Sequence, residues 1–253
     1  LPVIATNRIN MPEVAESILQ AGLADAVCLA RPMLADAEWT NKALNQQSAA
    51  INTCIACNQA CLDHIFVGKL TSCLVNPFAC HELQLIQTPA LKKKKIAVIG
   101  AGPAGMACAK TAAERGHQVT LFDALSELGG QLNIAKTIPG KQEFYEAIRY
   151  FKHELEKLGV HIQLNHRVQA DDVSDFDEIV LASGIHPRQI ELEGISHSKV
   201  MTYLDVLRER KPVGNNVAII GSGGIGFDVG EFLSQDGPDS ALDSHLFQQE
   251  WQI

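Results

Sequence analysis

The amino-acid sequence predicts an α/β fold in which short apolar strands alternate with helices and the strands run parallel. Three features indicate this class. Residues 3–30 have the pattern strand, helix, strand, and two glycine-rich turns, Gly100–Gly105 and Gly221–Gly226, each follow an apolar strand and open a helix. Before the first of these turns, four cysteines fall between Cys54 and Cys73. We accordingly divide the chain into four parts. Residues 1–47 contain the strand–helix–strand unit, 48–90 the cysteines, 91–211 the first glycine-rich turn and 212–253 the second.

The composition excludes several classes of protein. With 46% hydrophobic and 20% charged residues, the 253-residue chain is expected to be soluble and globular. The net charge of −8 argues against a nucleic-acid partner, and no apolar run approaches the ~18 residues of a membrane span. Seven cysteines without a signal peptide predict a reducing, cytoplasmic compartment. The chain opens directly on an apolar strand and stops soon after the second glycine turn, so we expect a piece of a longer protein.

The N-terminal strand–helix–strand pattern predicts one unit of a larger parallel sheet. The strands are expected at Val3–Thr6 and Ala26–Ala30, and such a unit cannot bury both of its faces alone. We therefore expect it to be the C-terminal end of a (β/α)₈ barrel. Arg8 follows the first strand and Ala30-Arg31 ends the second, at the place where the last strands of a barrel commonly bind a phosphate. Two surface arginines are the alternative that stays open here.

The cysteines have the spacing C-x₂-C-x₃-C-x₁₁-C, which predicts a metal centre. Four thiolates suit a [4Fe–4S] cluster or a tetrahedral zinc ion. Structural zinc usually uses two separated C-x₂-C hooks, so the pattern favours the cluster and leaves zinc as the alternative. Of the other cysteines, Cys28 and Cys108 are expected to be small buried residues and Cys80 a bystander. The predicted ligands are Cys54, Cys57, Cys61 and Cys73.

The first glycine-rich turn predicts a dinucleotide site. Gly100 permits the tight turn, Gly102 lets the backbone approach a pyrophosphate, and Gly105 lets the helix pack closely on the strand. Asp123 ends the next strand, where a carboxylate that binds the ribose is expected. Gly130, in the pair Gly129-Gly130 before Gln131, can let the chain approach the same ligand.

The second glycine-rich turn predicts another dinucleotide site. It follows an expected strand at Val217–Ile220, and its helix is expected from about Ile225. Two such turns in one chain indicate two dinucleotides, one a flavin and the other a nicotinamide. The sequence leaves the choice between NADH and NADPH open. The candidate residues are Gly221, Ser222, Gly223, Gly224 and Gly226.

Taken together, these motifs resemble a known enzyme family. The order of the barrel end, the four cysteines, GAGPAG, the crossover LASG and GSGGIG resembles the bacterial 2,4-dienoyl-CoA reductases. More broadly, it is similar to the NADH:flavin oxidoreductases with a barrel like that of old yellow enzyme. The most similar stretches are INTCIACNQACLDHIFVGKLTSCLVNP and GGQLNIAKTIPGK.

The resemblance implies a role for each group of residues. Arg8, Ala30 and Arg31 would hold the phosphate of FMN at the barrel mouth. The four cysteines would ligate a [4Fe–4S] cluster. FAD would contact Gly102, Ala104, Asp123 and Gln131. The stretch from Ser222 to Gly226 would begin the NADP(H) site.

The resemblance also implies an activity, namely NADPH-dependent reduction of a 2,4-dienoyl-CoA thioester in unsaturated fatty-acid oxidation. Electrons would pass from NADPH to FAD, singly through the cluster to FMN, and then to the enoyl-CoA substrate. The Tyr and His that donate protons in this family belong to an earlier part of the barrel, so no residue here is assigned a catalytic role. The alternatives are an NADH oxidase or enone reductase of the same family, an electron-transfer module, and a zinc-stabilised FAD-binding module.

Overall fold

A computed structural model describes residues 1–188, 190–235, 237 and 240–253 and divides the chain into two units. The first unit contains Leu1–Gly130 and Glu143–Ser183, and the second contains Gln131–Gln142 and Gly184–Ile253. Within the described part of the chain, none of the helices combines the length and apolar character needed to cross a bilayer. The strands are β1 Ile4–Thr6, β2 Ala26–Cys28, β3 Lys95–Ile99, β4 Gln118–Phe122, β5 His161–Gln163 and β6 Glu178–Leu181. The α-helices are α1 Pro12–Gln20, α2 Arg31–Ala35, α3 Trp39–Leu44, α4 Leu62–Phe66, α5 Pro103–Glu114, α6 Leu132–Ala135, α7 Glu143–Lys157, α8 Tyr203–Leu207, α9 Gly224–Ser234 and α10 Ser244–Trp251, with 3₁₀ turns at Ser48–Ala50, Ala170–Val173 and Ser240–Leu242.

The first unit is built on a parallel four-stranded sheet with the order β5-β4-β3-β6. The central pair β3–β4 runs in register from Lys95 opposite Gln118 to Ile99 opposite Phe122. In chain order this is third, second, first, fourth, the arrangement of the first four strands of a dinucleotide-binding sheet. The order reverses between β3 and β6, so the carboxyl ends of these two strands frame the place where a ligand is expected. The fold is therefore mixed α/β and Rossmann-like.

Strand β3 is apolar on both faces because both are covered. Ile96 and Val98 pack with Leu121 of β4 and with Met106 of α5, in the larger core of the sheet. Ala97 is buried on the opposite face together with Phe122 and Val173. Continuous burial of this kind explains why the strand has the apolar run Ile-Ala-Val-Ile rather than an alternating pattern.

Truncation of Leu121 is expected to test this core directly. Leu121 is fully buried in the middle of β4, so Leu121→Ala should lower the free energy of unfolding by about 2–5 kcal/mol, through lost burial and a residual cavity. Leu91→Ala is the matched control, since Leu91 is fully exposed and should change it by less than about 0.5 kcal/mol. Urea denaturation followed by circular dichroism measures both changes. Equal effects of the two substitutions would contradict the burial of Leu121 in this core.

The two N-terminal strands form a separate parallel pair in which Ile4 lies opposite Ala26. Its second strand ends at Cys28, two residues earlier than expected, because Ala30 caps helix α2 instead of extending the strand. One side of the pair is covered by a small core around Ile9, Ala15, Trp39 and Ile51. The expectation that Cys28 is buried is wrong, since the residue is exposed on this sparsely covered pair.

The second unit is held together by a different apolar cluster. Ile134 and Ile138 pack with Val206, Leu207 and Val229, which brings residues 131–142 against helices α8 and α9. An ion pair reinforces the same arrangement, because the Lys141 ammonium contacts both carboxylate oxygens of Asp228 at 2.6 and 2.7 Å. Residues 131–142 thus pack with the C-terminal part of the chain, although they lie within the segment 91–211 of the sequence-based division.

The strand expected at Val217–Ile220 is not formed. A strand requires a hydrogen-bonded neighbour, and the second unit has no other strand in its described residues with which this stretch could pair. Val217, Ile219 and Ile220 accordingly remain 43–70% exposed. The helix predicted after the glycine turn is present as α9, which begins at Gly224.

Candidate cofactor-binding sites

The glycine-rich turn Gly100–Gly105 joins β3 to α5 at the point where the strand order reverses. Gly100 has φ +109°, a conformation that strains any other residue, and a Cβ there would overlap the Ala182 carbonyl at the end of β6. A Cβ on Gly105 would overlap the Gly100 carbonyl oxygen. Gly102 differs from both, because it has an ordinary φ of −72° and open space where its Cβ would lie. Two of these glycines therefore serve the fold, whereas Gly102 leaves room for a ligand at the helix N-terminus.

Asp123 and Gly130 are both brought to this turn. One Asp123 carboxylate oxygen accepts the Ala101 N–H at 2.6 Å, and the other accepts the Leu125 N–H at 2.8 Å. Gly130 has φ +54° and lies against Gly102, so closely that a Cβ on Gly130 would stand 2.9 Å from the Gly102 Cα. A carboxylate has about four acceptor positions, and two are used here. The Asp123 carboxylate therefore keeps capacity for the hydroxyls of a ribose.

Two further residues expected near the flavin have different environments. Ala104 lies exposed in the first turn of α5, where backbone N–H groups have no partner within the helix. Gln131 belongs to the second unit, and its side-chain amide donates a hydrogen bond to the Ile185 carbonyl at 3.3 Å.

The second glycine-rich turn repeats the backbone of the first. Gly221 has φ +116°, close to the +109° of Gly100, and a Cβ on Gly226 would overlap the Gly221 carbonyl oxygen. Gly223 caps α9 with φ −82° and ψ 178°, as Gly102 caps α5 with φ −72° and ψ −178°. Open space also adjoins Gly223 and Gly224. The sequence repeat is therefore a structural repeat, with Ser222 between the tight turn and the helix cap.

The four cysteines of the predicted metal site line one cavity in the first unit. Cys54 is buried, and Cys57, Cys61 and Cys73 are partly buried. Aliphatic side chains surround them, and Arg31 and Asn58 are the polar side chains in the lining. Cys80 is exposed and lies outside the cavity. No three His, Cys, Asp or Glu side chains converge on a single point in the described ranges 1–188, 190–235, 237 and 240–253.

Burial and backbone hydrogen bonds act in opposite directions on these thiols. Burial raises the pKa of the Cys54 and Cys73 thiols above the ordinary value. The Ala56 N–H opposes this shift at Cys54, since it donates to the sulfur at 3.4 Å, and the Arg31 charge acts in the same sense. Ala56 itself has φ +55°, a conformation costly for a residue with a Cβ. The loop thus directs a backbone N–H at the Cys54 sulfur, and hydrogen bonds to sulfur tune the potential of a bound cluster.

The two arginines predicted to bind phosphate each have protein partners. Arg31 opens α2 and donates to the Asn58 side-chain oxygen at 2.5 Å and to the Asn7 oxygen at 2.9 Å. Arg8, with φ +54°, forms an ion pair with Glu143 at the start of α7 and is about half exposed. The carboxyl ends of β1 and β2 therefore meet as expected. Arg31 additionally lines the cysteine cavity, a position that its sequence context did not indicate.

Several residues that support the site were missed from the sequence. Glu143 accepts hydrogen bonds from Arg8 and from Asn10, whose amide also donates to the Cys54 carbonyl at 3.3 Å. The buried Asp36 accepts the Asn52 N–H at 2.8 Å and pairs with Lys42 at 2.6 Å. Neither carboxylate lies in a recognisable motif. Their roles arise from contacts between segments that are distant in the sequence.

Comparisons with known proteins agree with this fold. A family model described as pyridine nucleotide-disulphide oxidoreductase matches residues 94–242. The chain is 40% identical to a metal reductase of Desulforamulus reducens over 94% of this chain and 36% of that protein. It is 34% identical to a cinnamate reductase of Clostridium sporogenes over 96% of this chain and 36% of that protein.

A solved structure resembles nearly the whole chain. It is a complex of 2-naphthoyl-CoA reductase with 2-naphthoyl-CoA, with a TM-score of 0.86 and 35% identity over 92% of this chain. The chain covers 36% of that structure and therefore spans about a third of the proteins it matches. The matched family model covers more than half of the chain and includes both glycine-rich turns. The chain belongs to the pyridine nucleotide-disulphide oxidoreductase family, whose domain implies binding of FAD and NAD(P)H.

Proposed function

We propose that this chain is the electron-carrying part of a cytoplasmic reductase that uses NADPH to reduce 2,4-dienoyl-CoA thioesters. The observation that carries the proposal is the shared cavity of Cys54, Cys57, Cys61 and Cys73, which also contains Arg31. When bound there, a [4Fe–4S] cluster would carry single electrons between FAD and FMN, each of which handles two. The four cysteines are the ligands of that cluster in this proposal.

The donor chemistry of the cavity fits such a cluster. The four sulfurs are free thiols in an apolar lining, and a backbone N–H points at Cys54. A zinc ion would draw all four sulfurs to about 2.3 Å from one point. The spacing C-x₂-C-x₃-C-x₁₁-C differs from the two separated C-x₂-C hooks usual for structural zinc, and this favours an inorganic core of several atoms over a single ion.

Each remaining group of residues has a role in the proposal. Gly102 and the first turn of α5 receive the FAD pyrophosphate, and Asp123 binds its ribose. The second turn, from Gly221 to Gly226, receives the pyrophosphate of NADP(H). Arg31 and Arg8 contribute positive charge toward the FMN phosphate, and Asn7 and Glu143 orient their guanidinium groups.

The proposed substrate class rests on the relatives. The cinnamate reductase is named for a conjugated carboxylate. The 2-naphthoyl-CoA reductase is named for the CoA thioester of a conjugated acid, and its structure was solved with that thioester. A 2,4-dienoyl-CoA is likewise both conjugated and a CoA thioester. A second candidate is a reductase of free enoates. The 34% identity to the cinnamate reductase supports it. The protein is not expected to require a nucleic acid or a membrane as partner.

The proposed activity is tested by anaerobic oxidation of NADPH in a holoprotein that includes the earlier part of the barrel, because the proton donors are expected there. A 2,4-dienoyl-CoA should accelerate NADPH oxidation by at least ~100-fold over the rate without acceptor, whereas free cinnamate should accelerate it by less than ~10-fold, since its carboxylate lacks the CoA portion that supplies binding energy. A larger acceleration by cinnamate would favour the second candidate. Equal rates with and without either acceptor would contradict both. The same assay with NADH measures the coenzyme preference.

A further inference from the structure

Arg149 lies in the middle of α7 and contacts the segment that leads to the first cysteine. The same helix buries Leu155 completely in the core of the four-stranded sheet, where Phe151 also packs. Helix α7 therefore contacts two parts of the first unit. These are the sheet that carries the first glycine-rich turn and the chain just before Cys54. The glycine-rich and cysteine motifs gave no indication of this link.

All five N–H groups of the Arg149 guanidinium have an oxygen acceptor. The Nε donates to Glu146 on the same helix at 2.5 Å. The two terminal nitrogens donate to four oxygens of residues 48–53, the stretch just before Cys54. These are the carbonyls of Ser48 at 3.2 Å, Ala49 at 2.5 Å and Ile51 at 2.9 Å, and the hydroxyl of Thr53 at 3.1 Å. A guanidinium offers five donors in a fixed plane, so this set leaves none unused.

These bonds fix the chain immediately before Cys54. Thr53 and Ile51 are almost fully buried, and Cys54 is the most buried of the four cysteines. No regular secondary structure holds residues 51–57, so their backbone lacks the hydrogen bonds that a helix or strand would supply. The Arg149 side chain donates to the Ile51 carbonyl and the Thr53 hydroxyl of this segment, and to two carbonyls of the 3₁₀ turn before it. Arg149 thus contacts Thr53, the residue before Cys54, and Asn10 contacts the Cys54 carbonyl itself.

We propose that Arg149 is a positioning residue for the metal centre, acting through Thr53 and the preceding carbonyls to hold Cys54 at the geometry of a cluster ligand. This role rests on the proposed cluster. Residues that orient metal ligands from behind typically change metal affinity or activity ~10–100-fold when replaced. Lysine can replace the charge but has three donors on one nitrogen, so it cannot reproduce the planar set of contacts.

The test compares Arg149→Met, Arg149→Lys and the wild-type holoprotein, each purified anaerobically. Iron release to a chelator should be ~10–100-fold faster for Arg149→Met and intermediate for Arg149→Lys. The electron paramagnetic resonance spectrum of the reduced protein should change in Arg149→Lys, and deuterium uptake should rise in residues 48–54. The amount of bound FAD should stay at the wild-type level in both variants, because the first glycine-rich turn is untouched.

Arg115→Met is the matched control. Arg115 also donates to a backbone carbonyl, that of Thr88 at 3.1 Å, but this acceptor lies in the linker before β3. Its iron release should equal that of the wild type. Iron release from Arg149→Met at the wild-type rate, together with an unchanged electron paramagnetic resonance spectrum of Arg149→Lys, would overturn the role of Arg149 but not the cluster. Wild-type protein without iron would instead overturn the cluster, and the role of Arg149 with it.

Discussion

The variant Gly102→Ala is expected to lose FAD while keeping the fold. A Cβ at this position meets no protein atom within 4 Å, and φ is −72°, so alanine costs the fold little. The methyl group would instead occupy the space through which a pyrophosphate approaches the N-terminus of α5. Loss of one or two charge-assisted hydrogen bonds, at about 1.5–3 kcal/mol each, weakens FAD binding by ~10-fold to ~10⁴-fold. Titration of the apoprotein with FAD measures the change.

Gly105→Ala provides the comparison for this variant. Its Cβ would overlap the Gly100 carbonyl oxygen, so the helix must move away from β3 and the unfolding free energy should fall by about 1–3 kcal/mol or more. The two neighbouring glycines therefore separate a binding role from a packing role. If Gly102→Ala bound FAD with wild-type affinity, the glycine turn could not be the pyrophosphate site.

The second large effect is expected at the cysteine cavity. Cys57→Ala should reduce bound iron from about four atoms per chain to nearly none, because a [4Fe–4S] core requires four thiolates and alanine has no donor atom. Cys57 is only partly buried, so the substitution removes a ligand with little damage to the core. NADPH should still reduce FAD in this variant, whereas reduction of the acyl-CoA should fall by at least ~100-fold, since the proposed path between the flavins is interrupted.

Cys80→Ala is the control for this substitution. Cys80 lies seven residues beyond Cys73, is exposed and does not line the cavity, so its loss should leave the iron content unchanged. Retention of iron by Cys57→Ala together with loss from Cys80→Ala would show that the ligand set has been misassigned.

The sequence predicted those parts of the fold that local patterns determine. The turn at Gly100 and the strands around it follow from an apolar run, glycine spacing and a helix within thirty residues, and all are present. The stretch Val217–Ile220 has the same local pattern but forms no strand, because a strand also depends on a neighbour and none is available to it in the described second unit. The exposure of Cys28 has a similar origin, since burial depends on what covers a strand.

The sequence identified the four cysteines that share a cavity, but not the residues that support that cavity. The spacing of the four cysteines indicated a shared site, and these residues do line one cavity. The links from Arg149 to Thr53 and from Glu143 to Arg8 join residues about 96 and 135 positions apart. Neither link produces periodicity or a motif, because the two partners of each lie on segments far apart in the sequence. Only the folded chain reveals such contacts.

We propose that the four cysteines hold an iron–sulfur cluster between two flavin sites. Quantifying iron, zinc and acid-labile sulfide in anaerobically purified holoprotein tests it most directly. We expect about four iron atoms and about four sulfides per chain, as a [4Fe–4S] cluster requires. About one zinc atom per chain, without iron or sulfide, would contradict it.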